Sequence, residues 1–77
     1  MPKFYSSRHV VAVLQKRGFF YISQNGSHVK FRKFEKATLT VIVPANRKEI
    51  PGGTFSSIIR QSGLSREDFE KKKKQSS

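Results

Sequence analysis

The chain has 77 residues, and 16 lysines and arginines against 5 aspartates and glutamates give it a formal charge of +11. This length limits it to one domain with a thin core, and the lack of cysteine excludes disulfides and cysteine-ligated zinc. No apolar run approaches the roughly 20 residues of a membrane-spanning helix. The N-terminus shows no apolar signal segment either, so we expect a cytoplasmic protein.

The positive charge is concentrated in the part of the chain that we expect to fold. Residues 1–63 carry 11 basic and 2 acidic side chains, whereas residues 64–77 carry 5 and 3. A small domain remains soluble with far less charge than this. The excess therefore predicts a polyanionic partner, most simply a nucleic acid.

The first predicted element is a helix that begins near Ser6 or Ser7, because either hydroxyl can cap a helix N-terminus. Val10 and Leu14 then recur at helical spacing and form part of an apolar stripe. Gly18 fits the left-handed position that commonly ends a helix.

A β-hairpin is predicted next, with residues 19–24 as its first strand and the Asn25-Gly26 dipeptide as its two-residue turn. The apolar side chains of the two strands would then share the inner face, and these are Phe20, Ile22, Val29 and Phe31. The polar ones would share the outer face, and these are Tyr21, Ser23, His28, Lys30 and Arg32.

Residues 38–43 alternate between polar and apolar side chains and predict a third strand. Its inward-facing residues would be Leu39, Val41 and Val43. The connection from the second strand is short, so we expect an antiparallel meander, which Pro44 ends.

A second helix is expected to start at Thr54 as its N-cap and to end at Gly63. The segment from Ser65 to Asp68 has the form of a capping box, which predicts a short third helix.

These elements predict an α+β fold of two layers, in the order α-β-β-β-α. The three-stranded antiparallel meander would be covered by the helices on one face and exposed to solvent on the other. We expect residues 1–70 to form a single domain, and residues 71–77, which begin with four lysines, to form a disordered basic tail.

The outer face of the predicted hairpin carries the side chains with useful chemistry. Lys30 and Arg32 can hold phosphates, and Tyr21 offers a ring on which a base can stack. His28 can accept a proton near neutral pH. Beside a phosphodiester it could deprotonate a ribose 2′-hydroxyl, which would then attack the phosphate. DNA lacks this hydroxyl, so the pattern implies RNA as substrate and His28 as candidate catalytic base.

Further contacts to RNA are expected from the loops next to these strands. Arg47 and Lys48 add two cations after the third strand, while Ser27 and Asn46 can form hydrogen bonds. The acidic residues do not cluster as a two-metal nuclease requires, so we predict neither a metal nor another cofactor.

Two other functions fit the same pattern. A basic sheet face with one histidine is also typical of a non-catalytic double-stranded-RNA-binding module, and the charge alone would suit a ribosome-associated protein. Double-stranded-RNA-binding modules usually have a lysine cluster at the start of the last helix. The corresponding residues 54–57 contain no lysine, which argues against the first alternative.

Short motifs follow one another in a characteristic order along the chain. They are Gly18-Phe19, Gly26-Ser27-His28, Val43-Pro44, Glu49-Ile50, Gly53-Thr54-Phe55, and Gly63-Leu64-Ser65 with Phe69 after it. Through this ordered set of motifs, the sequence resembles the HicA toxins of bacterial HicA–HicB toxin–antitoxin systems. The resemblance extends from about Ser7 to Phe69.

The resemblance implies an mRNA interferase with a fold like that of double-stranded-RNA-binding domains. It implies that the histidine of the Gly-Ser-His signature, here His28, is the catalytic residue, and that a HicB antitoxin neutralises the toxin. Many members of the family carry a second histidine two residues after the proline. The corresponding residue here is Asn46, whose amide can bind RNA but cannot act as a general acid.

Overall fold

Two helices and three strands follow one another in the predicted order in the computed structural model, which describes residues 4–70. The elements are α1 (Ser7–Lys16), β1 (Phe20–Asn25), β2 (His28–Phe34), β3 (Thr38–Pro44) and α2 (Gly52–Ser62), followed by a single 3₁₀ turn (Arg66–Phe69). The strands form one antiparallel sheet in the order β1-β2-β3, which confirms the α+β meander. The predicted basic tail lies outside the described residues.

Both ends of α1 follow the local signals of the sequence. The hydroxyl of Ser6 accepts a hydrogen bond from the backbone N–H of His9 over 3.0 Å, so Ser6 is the N-cap. Gly18 has a φ of +98°, and beyond it the N–H of Phe19 donates to the carbonyl of Leu14 over 2.9 Å. This is the hydrogen-bond pattern of a Schellman motif, which needs a left-handed residue.

The turn of the β1–β2 hairpin lies one residue later than predicted. Asn25 pairs with His28, so the two turn residues are Gly26 and Ser27. Gly26 adopts a φ of +64°, which a turn of this length requires at its first central residue. The carbonyl of Ser27 accepts a 2.7 Å hydrogen bond from the N–H of Ala45, so a contact distant in sequence holds this register.

The shift of the turn moves the pairing by two residues and keeps the predicted faces, but a β-bulge between Tyr21 and Ser23 reverses them at the start of β1. Because of it, Phe20 pairs with Arg32 and Tyr21 pairs with Phe31. Directly opposed residues of an antiparallel pair lie on the same face. The prediction for these two aromatic residues was therefore wrong: Phe20 lies on the outer face and Tyr21 on the inner face.

The hydrophobic core lies between the helices and the inner face of β2 and β3. Phe20, at 43% exposure, and the partly buried Ile22 do not belong to it, which corrects their predicted burial. The helices pack mainly along β3, so β1 extends beyond their cover and contributes no buried residue. The core residues are Tyr5, Val10, Leu14, Phe19, Phe31, Val41, Val43, Ile50, Phe55, Ile58 and Phe69.

Helix α2 begins three residues earlier than predicted. Pro51 is its N-cap, and the carbonyl of Pro51 accepts the first helical hydrogen bond from the N–H of Phe55 over 2.9 Å. Thr54 consequently lies inside the first turn of the helix. Gly63, with a φ of +74°, ends α2 as predicted.

The predicted capping interaction after α2 is present. The N–H and hydroxyl of Ser65 both donate to the carboxylate of Asp68, over 2.8 and 3.1 Å. The segment that follows is one 3₁₀ turn, which places Phe69 in the core.

Candidate active site

The outer face of the sheet, which is the face directed away from Phe31, Val41 and Val43, is basic. Alternation along β2 directs four side chains to it, namely those of His28, Lys30, Arg32 and Phe34. The three strands contain no aspartate or glutamate. The electrostatic character of this face is therefore set by its cations, and it suits a polyanion.

His28 lies at one end of this face, beside a cleft of about 280 Å³ between the sheet and α2. It is the first residue of β2, and its partner across the ladder is Pro44, the last residue of β3. The side chain of His28 is exposed, so a substrate can reach the imidazole. The other residues that line the cleft are Ile42, Pro44, Arg47, Pro51, Thr54, Ser57 and Gln61.

Polar residues of α2 form one wall of the cleft. Thr54, Ser57 and Gln61 are three and four residues apart, so they share one face of the helix. The side-chain carbonyl of Gln61 accepts a 3.1 Å hydrogen bond from the N–H of Ile42, which anchors α2 to the edge of β3. Sequence analysis missed these three residues. Their helical spacing beside the buried stripe of Phe55 and Ile58 is a signal that could have found them.

Arg47 is the cation that shares the cleft with His28. Its loop is held by the buried Ser7 at the start of α1: the N–H of Ser7 donates to the Arg47 carbonyl, and the N–H of Arg47 donates to the Ser7 hydroxyl. That hydroxyl in turn donates to the carbonyl of Pro44. Asn46 has a φ of +57°, a conformation that asparagine adopts more readily than most residues.

The remaining predicted residues are spread around the cleft. Lys30 and Arg32 continue the outer face beyond His28, and the Nε of Arg32 donates to Thr40 over 3.2 Å. Asn46 and Lys48 line a different groove of about 760 Å³, which lies along α1 and includes Arg47 in its rim.

Two other predicted residues, Ser27 and Tyr21, are not among the residues that line the cleft. Ser27 lies in the hairpin turn before His28. Tyr21 is 55% exposed but lies on the inner face, with its ring edge-on to Phe31, and so it does not share a face with Lys30 and Arg32.

The second histidine of the chain has structural contacts. The His9 ring stacks on Tyr5 with centroids 4.8 Å apart, and its Nε2 donates to the carbonyl of Phe69. Burial, the largest cause, raises the pKa of Tyr5 above the usual tyrosine value. Among residues 4–70, no three histidine, cysteine or acidic side chains come together as potential metal ligands.

The chain matches the model of a known protein family. A family model described as the HicA toxin of bacterial toxin–antitoxin systems matches residues 7–64, which include α1, the whole sheet and α2. No protein with curated annotation matches the chain significantly. Within residues 4–70, neither helix has the length and apolar character needed to cross a membrane.

Proposed function

Because the chain belongs to the HicA toxin family of bacterial toxin–antitoxin systems, we propose that it is an endoribonuclease that cleaves mRNA in the cytoplasm without a metal ion. His28 is its general base. The observation that carries this proposal is that His28 and Arg47 line one cleft at the end of a basic sheet face. An exposed imidazole and a guanidinium in one cleft are the two groups that RNA cleavage through the 2′-hydroxyl needs.

The proposed reaction starts when a phosphodiester of single-stranded RNA enters the cleft. His28 takes the proton of the ribose 2′-hydroxyl, and the 2′-oxygen attacks the adjacent phosphorus. The bond from phosphorus to the 5′-oxygen of the next nucleotide breaks, and this oxygen takes a proton from water. The products are a 2′,3′-cyclic phosphate and a 5′-hydroxyl, while Arg47 stabilises the negative charge that develops on the phosphate.

Further contacts to RNA, some predicted from the sequence and some found in the structure, extend this site. Lys30 and Arg32 bind phosphates on the outer face next to the cleft, and the Thr54 and Ser57 hydroxyls can donate hydrogen bonds to the ribose or phosphate inside it. Asn46 and Lys48, which line the neighbouring groove, contact RNA that extends past Arg47.

The proposed protein partner is a HicB-type antitoxin that covers the cleft and so keeps RNA away from His28. A surface with an excess of acidic residues would associate rapidly with the basic outer face.

The proposal is tested by incubating a long single-stranded RNA with the protein in EDTA, with the wild type beside His28→Ala. We expect the wild type to cleave and to leave 2′,3′-cyclic phosphate ends, and the variant to bind RNA without cleaving it. Lys16→Ala, which removes a cation at the end of α1, is the control and should cleave like the wild type.

Three results would contradict the proposal. Equal cleavage by wild type and His28→Ala would exclude His28 as the base. Cleavage of an RNA whose scissile ribose lacks the 2′-hydroxyl would exclude the mechanism. Equal binding by both proteins without any cleavage would favour the alternative, a non-catalytic double-stranded-RNA-binding or ribosome-associated module.

A further inference from the structure

Two phenylalanines on the outer face of the sheet are exposed to solvent and contact each other. Phe20 is 43% and Phe34 63% exposed, and their ring centroids are 5.6 Å apart with an angle of 43° between the rings. Single exposed apolar residues are common, but two adjacent aromatic rings on a charged face form a surface patch that can bind a partner. Neither ring belongs to the hydrophobic core, so the packing of the domain does not account for them.

This pair, which we call the Phe20–Phe34 platform, lies on the same face of the sheet as His28 but at the opposite end of β2. Phe20 is the ladder partner of Arg32, and Phe34 follows Arg32 two residues later on the same side of β2. His28 begins this strand and Phe34 ends it, so about 20 Å separate the cleft from the platform. The cations of Lys30 and Arg32 lie between the two.

The bulge in β1 is what creates the platform. Without the extra residue between Tyr21 and Ser23, the neighbour of Arg32 on the outer face would be a different side chain. A bulge near a functional site often redirects a side chain in this way. The bulge therefore brings the Phe20 ring to Phe34 on the basic face instead of leaving it on the inner face.

We propose that the Phe20–Phe34 platform stacks one or two bases of the single-stranded RNA whose scissile phosphate occupies the His28 cleft. This inference rests on the proposed function, because it takes the same RNA as the ligand. Exposed rings next to cations are how proteins bind unpaired bases, since every base has a stacking face and every linkage has a phosphate.

The charges favour RNA over a second copy of this chain. Two copies that met through this face would bring Lys30 and Arg32 close to cations of the other copy, with no carboxylate in any strand to compensate. Double-stranded RNA is also a poorer ligand, because its bases are already stacked and its recognition depends on shape and backbone.

The test measures RNA binding in the His28→Ala background, where the RNA stays intact. Affinity for a labelled single-stranded RNA is measured by fluorescence polarisation for the parent, for a variant with Phe20→Leu and Phe34→Leu, and for one with Phe20→Tyr and Phe34→Tyr. Leucine keeps an apolar side chain without a ring, and tyrosine keeps the ring. We expect leucine to weaken binding by about tenfold or more, and tyrosine to retain most of the affinity.

Two controls separate stacking from charge. Heparin, a polyanion without bases, should bind all three proteins alike. The dependence of affinity on salt should also remain the same, because it reports phosphate contacts, which the substitutions do not change.

The proposal is overturned if the leucine variant binds single-stranded RNA as tightly as the parent, or if leucine and tyrosine weaken binding equally. A leucine variant with unchanged RNA affinity but a smaller mass in light scattering would identify the platform as a contact between copies. Failure of the proposed function would look different: the wild type would not cleave RNA, whereas ring-dependent binding would persist in the His28→Ala background.

Discussion

Ser7 and Arg47, 40 residues apart, are joined by two hydrogen bonds, one of 2.9 Å from the Ser7 N–H to the Arg47 carbonyl and one of 3.0 Å from the Arg47 N–H to the Ser7 hydroxyl. Ser7 is buried at the first residue of α1, and its hydroxyl also donates to the carbonyl of Pro44. The start of α1 therefore holds the loop whose Arg47 lines the cleft beside His28.

Ser7→Ala should weaken both the fold and the proposed activity. The substitution leaves the N–H of Arg47 and the carbonyl of Pro44 without their partner, so the free energy of unfolding should fall by about 1–3 kcal/mol. Urea denaturation measures this loss, and cleavage by the fraction that remains folded should also decrease because Arg47 is held less firmly.

Ser6→Ala is the matched control for this prediction. It removes the N-cap of the same helix, which costs about 1 kcal/mol, but Ser6 makes no hydrogen bond to the Arg47 loop. Equal losses of cleavage in the two variants, at equal folded fractions, would show that Ser7 has no positioning role.

Arg47→Ala should reduce RNA cleavage far more than Lys48→Ala. Both substitutions remove one positive charge from the same loop, but only Arg47 lines the cleft with His28. Loss of a group that stabilises the charge of the transition state lowers kcat by about 10²–10³. Single-turnover cleavage at saturating protein measures this effect, and similar rates for the two variants would mean that Arg47 contributes only general attraction.

Asp68→Asn should lower the stability at neutral pH, and this effect should disappear in acid. The hydrogen bond from the Ser65 N–H is the largest cause that holds the pKa of Asp68 below its usual value, and the Ser65 hydroxyl and Arg17, 2.7 Å away, act in the same direction. The ionised carboxylate therefore stabilises the fold fully above the unfolded pKa of about 3.9, and this contribution is lost as the pH falls through the lower folded pKa.

Thermal denaturation between pH 2 and pH 7 measures this prediction. The difference in Tm between wild type and Asp68→Asn should be largest near neutral pH and should narrow below about pH 4. Glu67→Gln removes a charge from the same 3₁₀ turn and is the control. A difference in Tm that stays constant across this range would contradict the prediction.

Gly18→Ala and Gly52→Ala should change stability in opposite directions. Gly18 has a φ of +98°, and a Cβ there would lie 3.2 Å from the Cε of Lys33, so alanine should destabilise by about 1–2 kcal/mol. Gly52 is the first residue of α2, and a Cβ there meets nothing within 4 Å. Alanine at this residue should stabilise by about 0.4–1 kcal/mol. Chemical denaturation of both variants measures the two changes in the free energy of unfolding, which should have opposite signs.

Several features of the fold could be predicted because their signals are local. The hydroxyl of Ser6 and the conformational freedom of Gly18 each mark an end of α1, and each acts on residues less than two helical turns away in the chain. The alternation of β3 identifies Val41 and Val43 as inward-facing residues. The alternation of β2 likewise identifies His28 as an outward-facing residue, and it is the one side chain on this basic face that can accept a proton near neutral pH. Its role in catalysis stays a prediction.

The sequence by itself determined the order of the elements, the ends of α1 and the alternation of β2 and β3, because these depend on neighbours in the chain. Only the tertiary structure decided which side chains share a surface. The Ser27 carbonyl accepts a hydrogen bond from the N–H of Ala45, the bulge brings Phe20 to the outer face, and the Ser7 contacts hold the loop whose Arg47 lines the same cleft as His28. These arrangements depend on hydrogen bonds and packing between distant segments, which no local pattern specifies.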